Sequence, residues 1–363
     1  MQKEITLQYT PALDSLRAWA VLIVIFEHYF QNLLPTYWHF FSFGGLGVGI
    51  FFTLSGFLIT TILLQERQQV GLFIEKIKKF YFRRFLRLFP IYYLTILVAI
   101  LFFPILNVQE NIWYYLTYTT NLIIFKTNYW GKVGHFWSLA VEEQFYIVWP
   151  FFVLLSNNKW LKNIIISCII VGVICKIYYG FIYGGTGKLY WILTPFNLDL
   201  LGIGALFAWL RVYKPTIWTK VVTLPNKIFL LCGVFLCLII IEYMLVNHSI
   251  ACFVLSYLFI ASIAIIWILI ALSNATWPLF LHNKVLQFLG RVSYGMYLYH
   301  LPIMGLWGFN STWFKAKGID FQFVYVFDNA FVAAFCCLLT TFVVSLFSYW
   351  LLELPINRLK QRL

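Results

Sequence analysis

Long uncharged apolar runs constrain this chain more than any other feature. No Asp, Glu, Lys or Arg occurs from Phe43 to Gln65, Leu88 to Gln109, Tyr243 to Asn283, Val292 to Phe314 or Asn329 to Leu352. Several of these runs reach the roughly 20 residues a helix needs to cross the hydrocarbon core of a bilayer. In lipid every backbone N–H and C=O must be satisfied within the chain, and uninterrupted runs of this length call for helices rather than barrel strands. Composition points the same way: 62% of residues are hydrophobic and 11% charged, against roughly 25% charged in an ordinary soluble domain. A water-soluble fold could not keep that much apolar surface dry. The expected fold class is an all-α polytopic membrane protein.

The pattern predicts about ten transmembrane helices, at 14–33, 43–64, 85–106, 136–155, 162–180, 190–210, 227–246, 249–271, 289–309 and 326–350. Asn247, His248 and Ser249 supply the turn that divides the longest run. Asp14, Arg17, Glu27 and His28 interrupt the first apolar segment, so it is not read as a cleaved signal peptide. Ten spans put both termini on one side. Eighteen Lys and Arg then fall in the tails and loops of that side and five on the other, a positive-inside bias that makes the termini cytoplasmic. This placement accounts for the net charge of +13 without nucleic acid; membrane lipids are the expected neighbours. The segment 107–135, with Trp113, Tyr114, Tyr115, Tyr118, Tyr129 and Trp130, reads as a reentrant or interfacial piece on the outer side. No linker or low-complexity tract divides the chain, so residues 1–363 are expected to form one membrane domain with no appended soluble domain. Seven cysteines lie in hydrophobic segments and read as small packing residues rather than disulfide partners.

Ionisable groups inside membrane segments are costly and tend to face a cavity or one another. Arg17 and His28 stand eleven residues apart, about 16 Å of helical rise and nearly one face. One side of a single helix can therefore touch both ends of a long anionic molecule; the plainer reading makes Arg17 a topological anchor and His28 an interior hydrogen-bonding residue. Arg83, Arg84 and Arg87 enter the third span. Arg84 and Arg87 share a face, and the cluster suits either anionic lipid or phosphates, which guanidinium binds through several oxygens at once. Glu142 and Glu143 begin the span after the aromatic segment. They point about 100° apart, near the level of His28, and one of them is expected to orient that imidazole for proton transfer. Gly44, Gly45, Gly47, Gly49 and Ser55 read as small packing residues, Asp199 as a possible cavity residue, Glu242 as solvated, and His300 as a structural hydrogen-bonding hub. The histidines show no ligand spacing, so no metal is expected.

Taken in order, these segments resemble the acyltransferase-3 family of integral membrane O-acyltransferases. The likeness rests on Leu13-Asp14-Ser15-Leu16-Arg17-Ala18 with ten residues between Arg17 and His28, on Gly49 to Ile59, and on Arg83 to Pro90. It continues through Trp137-Ser138-Leu139 leading into Glu142-Glu143-Gln144-Phe145-Tyr146, and Leu289 to His300. The family usually has Gly where this chain has Ser15, a change between small residues. The resemblance implies O-acylation, with acetyl-CoA as donor, of a cell-envelope polysaccharide such as O-antigen or capsule, or of a lipid-linked saccharide, in the bacterial cytoplasmic (inner) membrane. It makes Arg17 and His28 the leading functional pair, with Arg83, Arg84 and Arg87 for the donor and Glu142 and Glu143 beside the catalytic histidine. Some members carry an added secreted esterase-like domain, for which the ending at Leu363 is expected to leave no room. A transporter of lipid-linked saccharide is the main rival, because buried charge and a cavity suit it too; a membrane scaffold leaves the Arg, His and Glu segments without a purpose.

Overall fold

The computed structural model describes residues 9–30, 33, 42–102, 108–183, 189–223, 233, 250–273, 281–307 and 329–359. The expected helix at 227–246, and Glu242 with it, lies outside the described residues. Those residues contain helices and turns and no strand. The long helices are α1 (Pro11–Phe30), α2 (Phe43–Gln68), α3 (Phe73–Phe102), α6 (Phe136–Leu155), α7 (Asn158–Tyr183), α8 (Thr194–Tyr213), α10 (Ile250–Leu272), α11 (Lys284–Trp307) and α12 (Ala330–Ser348). Short helices are α4 (Ile112–Leu116), α5 (Thr120–Thr127), α9 (Pro215–Val222) and α13 (Leu354–Leu359). A π-helical turn, Tyr349–Glu353, joins α12 to α13.

Six of these helical stretches are long and apolar enough to cross a membrane: Phe43–Gln68, Phe73–Leu101, Phe136–Leu155, Asn158–Tyr179, Thr194–Tyr213 and Ala330–Leu359. Among the polar groups on α1 and α11, Arg291 is exposed, whereas Asp14 and His300 are buried, Arg17 pairs with Asp14 and Glu27 accepts the Gly44 N–H, so protein neighbours meet these four. Outer helices show the reverse. Ile166, Ile170, Ile174, Ile177 and Phe181 on α7 are exposed, as are Phe331, Phe335, Leu339, Val343 and Phe347 on α12. A stripe of that three-to-four spacing, bare on the outside, is stable only against hydrocarbon.

Helix α2 is the hub, packing on α1, α8, α6 and α10. Its crossing with α8 depends on two glycines: a Cβ on Gly56 would run into the Leu201 carbonyl, and one on Gly204 into the Thr53 carbonyl. Each helix lacks a side chain where the other's backbone arrives, so the two approach more closely than any other residue would permit. Helix α1 lies against α11 and α2. Local caps fix the helix starts: Ser42 Oγ accepts the Gly45 N–H at 3.0 Å, and Asn329 Oδ1 accepts the N–H of Phe331 at 2.9 Å.

The aromatic segment before α6 forms a three-residue turn and the helices α4 and α5, of five and eight residues, too short to cross a bilayer. Its aromatics divide. Trp113 and Tyr129 are exposed, whereas Tyr115 and Tyr118 turn inward, and Tyr118 stacks on Tyr92 with ring centroids 4.3 Å apart. Tyr118 holds the left-handed φ of 52°, and its carbonyl accepts Gln144 Nε2 at 2.9 Å, which ties the segment to α6. Cys168, Cys175, Cys336 and Cys337 are free thiols.

Candidate active site

Four helices, α1, α2, α6 and α11, line both of two adjoining cavities, and α3 lines one of them. The first, about 660 Å³, is lined by Asp14 and Arg17 of α1, Ser55 of α2, Arg84 and Arg87 of α3, Ser138, Glu142 and Tyr146 of α6, and Arg291 and Tyr294 of α11. The second, about 470 Å³, is lined by Glu27 and His28 of α1, Gly44 and Gly45 before the middle of α2, Lys132 and His135 ahead of α6, and Met304 near the end of α11. Val48 and Tyr297 line both. Arg17 and His28, on one side of one helix, thus open into different chambers with a shared wall.

Basic groups in the Arg17 cavity are held by acidic neighbours without being used up. Asp14 accepts Arg17 Nη1 through one oxygen at 2.5 Å and Tyr9 Oη through the other at 2.5 Å. Arg84 lies with its guanidinium carbon 3.7 Å from the Tyr146 ring centre and its Nε 3.8 Å from Glu143 Oε1. Such stacking orients the guanidinium toward the cavity lined by Arg84 and Arg87. Ser55 Oγ donates to Glu142 Oε1 at 2.7 Å. The π-helical turn brings Glu353 into the same lining, as such turns often do at functional positions.

In the second cavity the tautomer of His28 is set by its own helix. Its Nδ1 lies 2.9 Å from the Val24 carbonyl. A carbonyl can only accept, so Nδ1 carries the proton and the neutral ring keeps its lone pair on Nε2, the form required of a base or nucleophile. His300 takes the same form, and His135 takes the other tautomer. His300 Nδ1 donates to the Tyr297 carbonyl at 2.6 Å. Pro302 has no N–H to offer the Leu298 carbonyl four residues back, and His135 Nε2 donates there instead at 3.1 Å. The rings of His28 and His300 lie 5.0 Å apart and those of His135 and His300 4.7 Å apart. Glu27 turns aside to accept the Gly44 N–H at 2.7 Å. Lys132, in the loop ahead of α6, is 8% exposed, and burial pushes its ammonium down to about 8. Among the described residues no group of three or more His, Cys, Asp or Glu side chains is arranged to hold a metal ion.

Arg17, Arg84 and Arg87 come together around one cavity. Arg83 does not join them; one turn of α3 before Arg87, it pairs together with Lys79 with Glu66 at the end of α2, Arg83 Nη1 at 3.2 Å from Glu66 Oε1. Glu142 lines the Arg17 cavity, and Glu143 contacts Arg84, so neither stands beside His28. Asp199 lines neither cavity; it pairs with Lys176 at 2.5 Å across the α7–α8 contact. His300 links three helices, since its carbonyl accepts Tyr29 Oη at 2.7 Å, and Tyr29 Oη also meets Thr341 Oγ1 at 2.8 Å. Unforeseen were the partnership of Ser55 with Glu142, the gathering of three histidines, and Lys132, Arg291 and Tyr297 as lining residues. The TrpSer motif beside His135 and the polar face of the Tyr294-Tyr297-His300 stretch were the signals available.

The family model Acyl_transf_3, described as an acyltransferase domain, matches residues 10–350. The chain is similar to a peptidoglycan O-acetyltransferase, OatA, of Listeria monocytogenes, with 32% identity over 325 residues, 82% of this chain and 50% of that protein. It is also similar to the O-acetyltransferase OatA of Staphylococcus aureus, with 28% identity over 389 residues, 99% of this chain and 59% of that protein. It therefore spans little more than half the length of these relatives. No solved structure matches it.

Proposed function

The chain belongs to the acyltransferase-3 family and is a multi-pass membrane protein of the bacterial cytoplasmic membrane, and on that premise we propose that it transfers an acetyl group from acetyl-CoA to a hydroxyl of a cell-envelope glycan. One similar protein is named for peptidoglycan, which makes a peptidoglycan strand the first acceptor to test, ahead of O-antigen or capsule. The observation that carries the reading is the pairing of two chambers on one helix: four arginines around the first and a tautomer-locked histidine in the second.

The positive-inside bias sets the Arg17 chamber at the cytoplasmic side, where acyl-CoA is made. Arg17, Arg84 and Arg87 hold the donor's phosphates, and Glu142 and Glu143 fix the arginines' directions rather than that of His28. The acyl end reaches toward His28, and the acceptor enters the other chamber. His28 Nε2 takes the proton of the acceptor hydroxyl as its oxygen bonds to the thioester carbonyl carbon. The C–S bond then breaks, and the thiolate recovers the proton from His28, giving ester and free CoA thiol. In the two-step form Nε2 itself bonds to the carbonyl carbon as the C–S bond breaks and CoA thiolate leaves; the acceptor oxygen then displaces the imidazole and its proton passes to the thiolate, giving ester, neutral His28 and CoA thiol. Both forms need the reacting atoms within contact distance.

Purified protein and its His28→Ala variant, given acetyl-labelled acetyl-CoA and a peptidoglycan fragment, test this directly. The wild type forms a base-labile ester on the glycan. The variant loses roughly 100-fold or more of that rate, the usual worth of a positioned proton acceptor. Glycan movement across proteoliposomes without ester would favour a lipid-linked saccharide transporter, and full transfer by His28→Ala removes the histidine from the chemistry.

A further inference from the structure

The two chambers share a wall whose side chains are held in place. On α2 the residues pass from one chamber to the other through Val48, and on α11 through Tyr297; on α6 Trp137 faces the His28 chamber and the next residue, Ser138, faces the Arg17 chamber. Val48 and Tyr297 are only 8% and 6% exposed. The Tyr297 hydroxyl shares a hydrogen with Ser138 Oγ at 2.5 Å and lies 3.2 Å from the His135 carbonyl, which it can donate to. At its other end, the Tyr297 carbonyl is held by His300 Nδ1. Its ring stands edge-on to Phe51 at 5.9 Å. The ring therefore cannot swing aside without breaking hydrogen bonds in a buried setting. A valine in a helix has one strongly preferred rotamer, and Gly47 beside it is packed on α1, where a Cβ would meet Val24.

We propose that Val48 and Tyr297 form a fixed aperture that selects the acyl group by size, admitting the two-carbon acyl end of the donor to His28 and rejecting longer chains. The proposal rests on the donor and acceptor chambers assigned above. No bond is made or broken at the aperture: the acyl group passes still attached to the CoA sulfur, and the C–S bond breaks at His28. Rigidity is what makes such a passage selective, since a yielding wall would repack around an extra methylene. A tight pocket typically discriminates roughly 10- to 200-fold per methylene.

The test uses the full chain in lipid nanodiscs with acetyl-, propionyl- and butyryl-CoA in competition for one peptidoglycan acceptor. Wild type should prefer acetyl over butyryl by about 100-fold or more. Val48→Ala, which trims the aperture, should lower that preference at least about tenfold, whereas Val48→Phe should suppress transfer of all three while CoA still protects the Arg17 chamber from arginine-directed labelling. Tyr297→Phe, which keeps the ring and frees its tip, provides the second reading if Val48→Ala does not fold, and should relax the preference in the same direction. Wild-type transfer with an unchanged chain-length ratio in both Val48→Ala and Tyr297→Phe overturns the aperture alone. Absence of acyl transfer from any CoA ester by the wild type overturns the assignment of the chambers and the aperture with it.

Discussion

Ser55 of α2 donates its hydroxyl hydrogen to Glu142 of α6 at 2.7 Å, on the wall of the cavity that Arg84 and Arg87 share. The bond fixes a carboxylate that would otherwise be free to move toward those guanidinium groups. Removing it with Ser55→Ala should release Glu142 to compete with the donor's phosphates, raising KM for acetyl-CoA several-fold while kcat changes less. Leaving a buried acceptor short of a donor should also reduce stability by about 1–3 kcal/mol. Steady-state kinetics and thermal unfolding in detergent read both effects, and Ser55→Thr, which keeps the hydroxyl, should restore them.

The three neighbouring arginines of α3 should separate by what each one contacts. Arg87→Gln and Arg84→Gln should each raise KM for acetyl-CoA roughly 10- to 100-fold, the worth of a hydrogen bond to a charged group. Arg83 is 40% exposed and paired with Glu66; Arg83→Gln should cost at most about 1 kcal/mol of stability and leave that KM near the wild-type value. Equal KM effects for all three would contradict the division of the helix.

Two limbs are expected in the pH profile. His28 must be neutral to take a proton, so transfer should fall as pH drops through the imidazole titration. A flat rate there would discard the base assignment. Lys132 is displaced downward, to about 8, so its positive charge is present below that pH and lost as pH rises through it. If that charge holds an anionic part of the acceptor, KM for the glycan should climb above about pH 8. Lys132→Arg, which stays charged, should push this limb to higher pH, and Lys132→Met should abolish it and raise KM throughout.

Orientation can be read by labelling. The end carrying α4 and α5 should face outward and the α6–α7 turn inward. In a background without native cysteines, Thr127→Cys should react with a membrane-impermeant maleimide added to intact cells, and Asn157→Cys should react only after permeabilisation. The opposite pattern would invert the assignment of the donor chamber.

The helical membrane class and the family were legible because both are written locally: uncharged runs have a length, loop charges have a sign, and motifs have a spacing. The same holds for the shared face of Arg84 and Arg87, which follows from helical periodicity alone. The non-spanning nature of 107–135 could be read too, though not that Tyr115 and Tyr118 would pack inward while Trp113 stays outside. Six spans meet the length and apolarity of a crossing among the described residues; α1 and α11, read from the sequence as the spans 14–33 and 289–309, fall outside those six because much of their polar content lines the two cavities.

What only the tertiary structure decided is which distant groups share a chamber. Glu142 and Glu143 are near His28 in estimated depth, yet depth along the bilayer normal says nothing about angle around a helix or which neighbour it faces. The α2–α8 crossing at Gly56 and Gly204, the carbonyl left open by Pro302 and filled by His135, and the wall built from Val48 and Tyr297 each join residues far apart in the chain. Their effects come from packing and direction, which one-dimensional spacing does not carry.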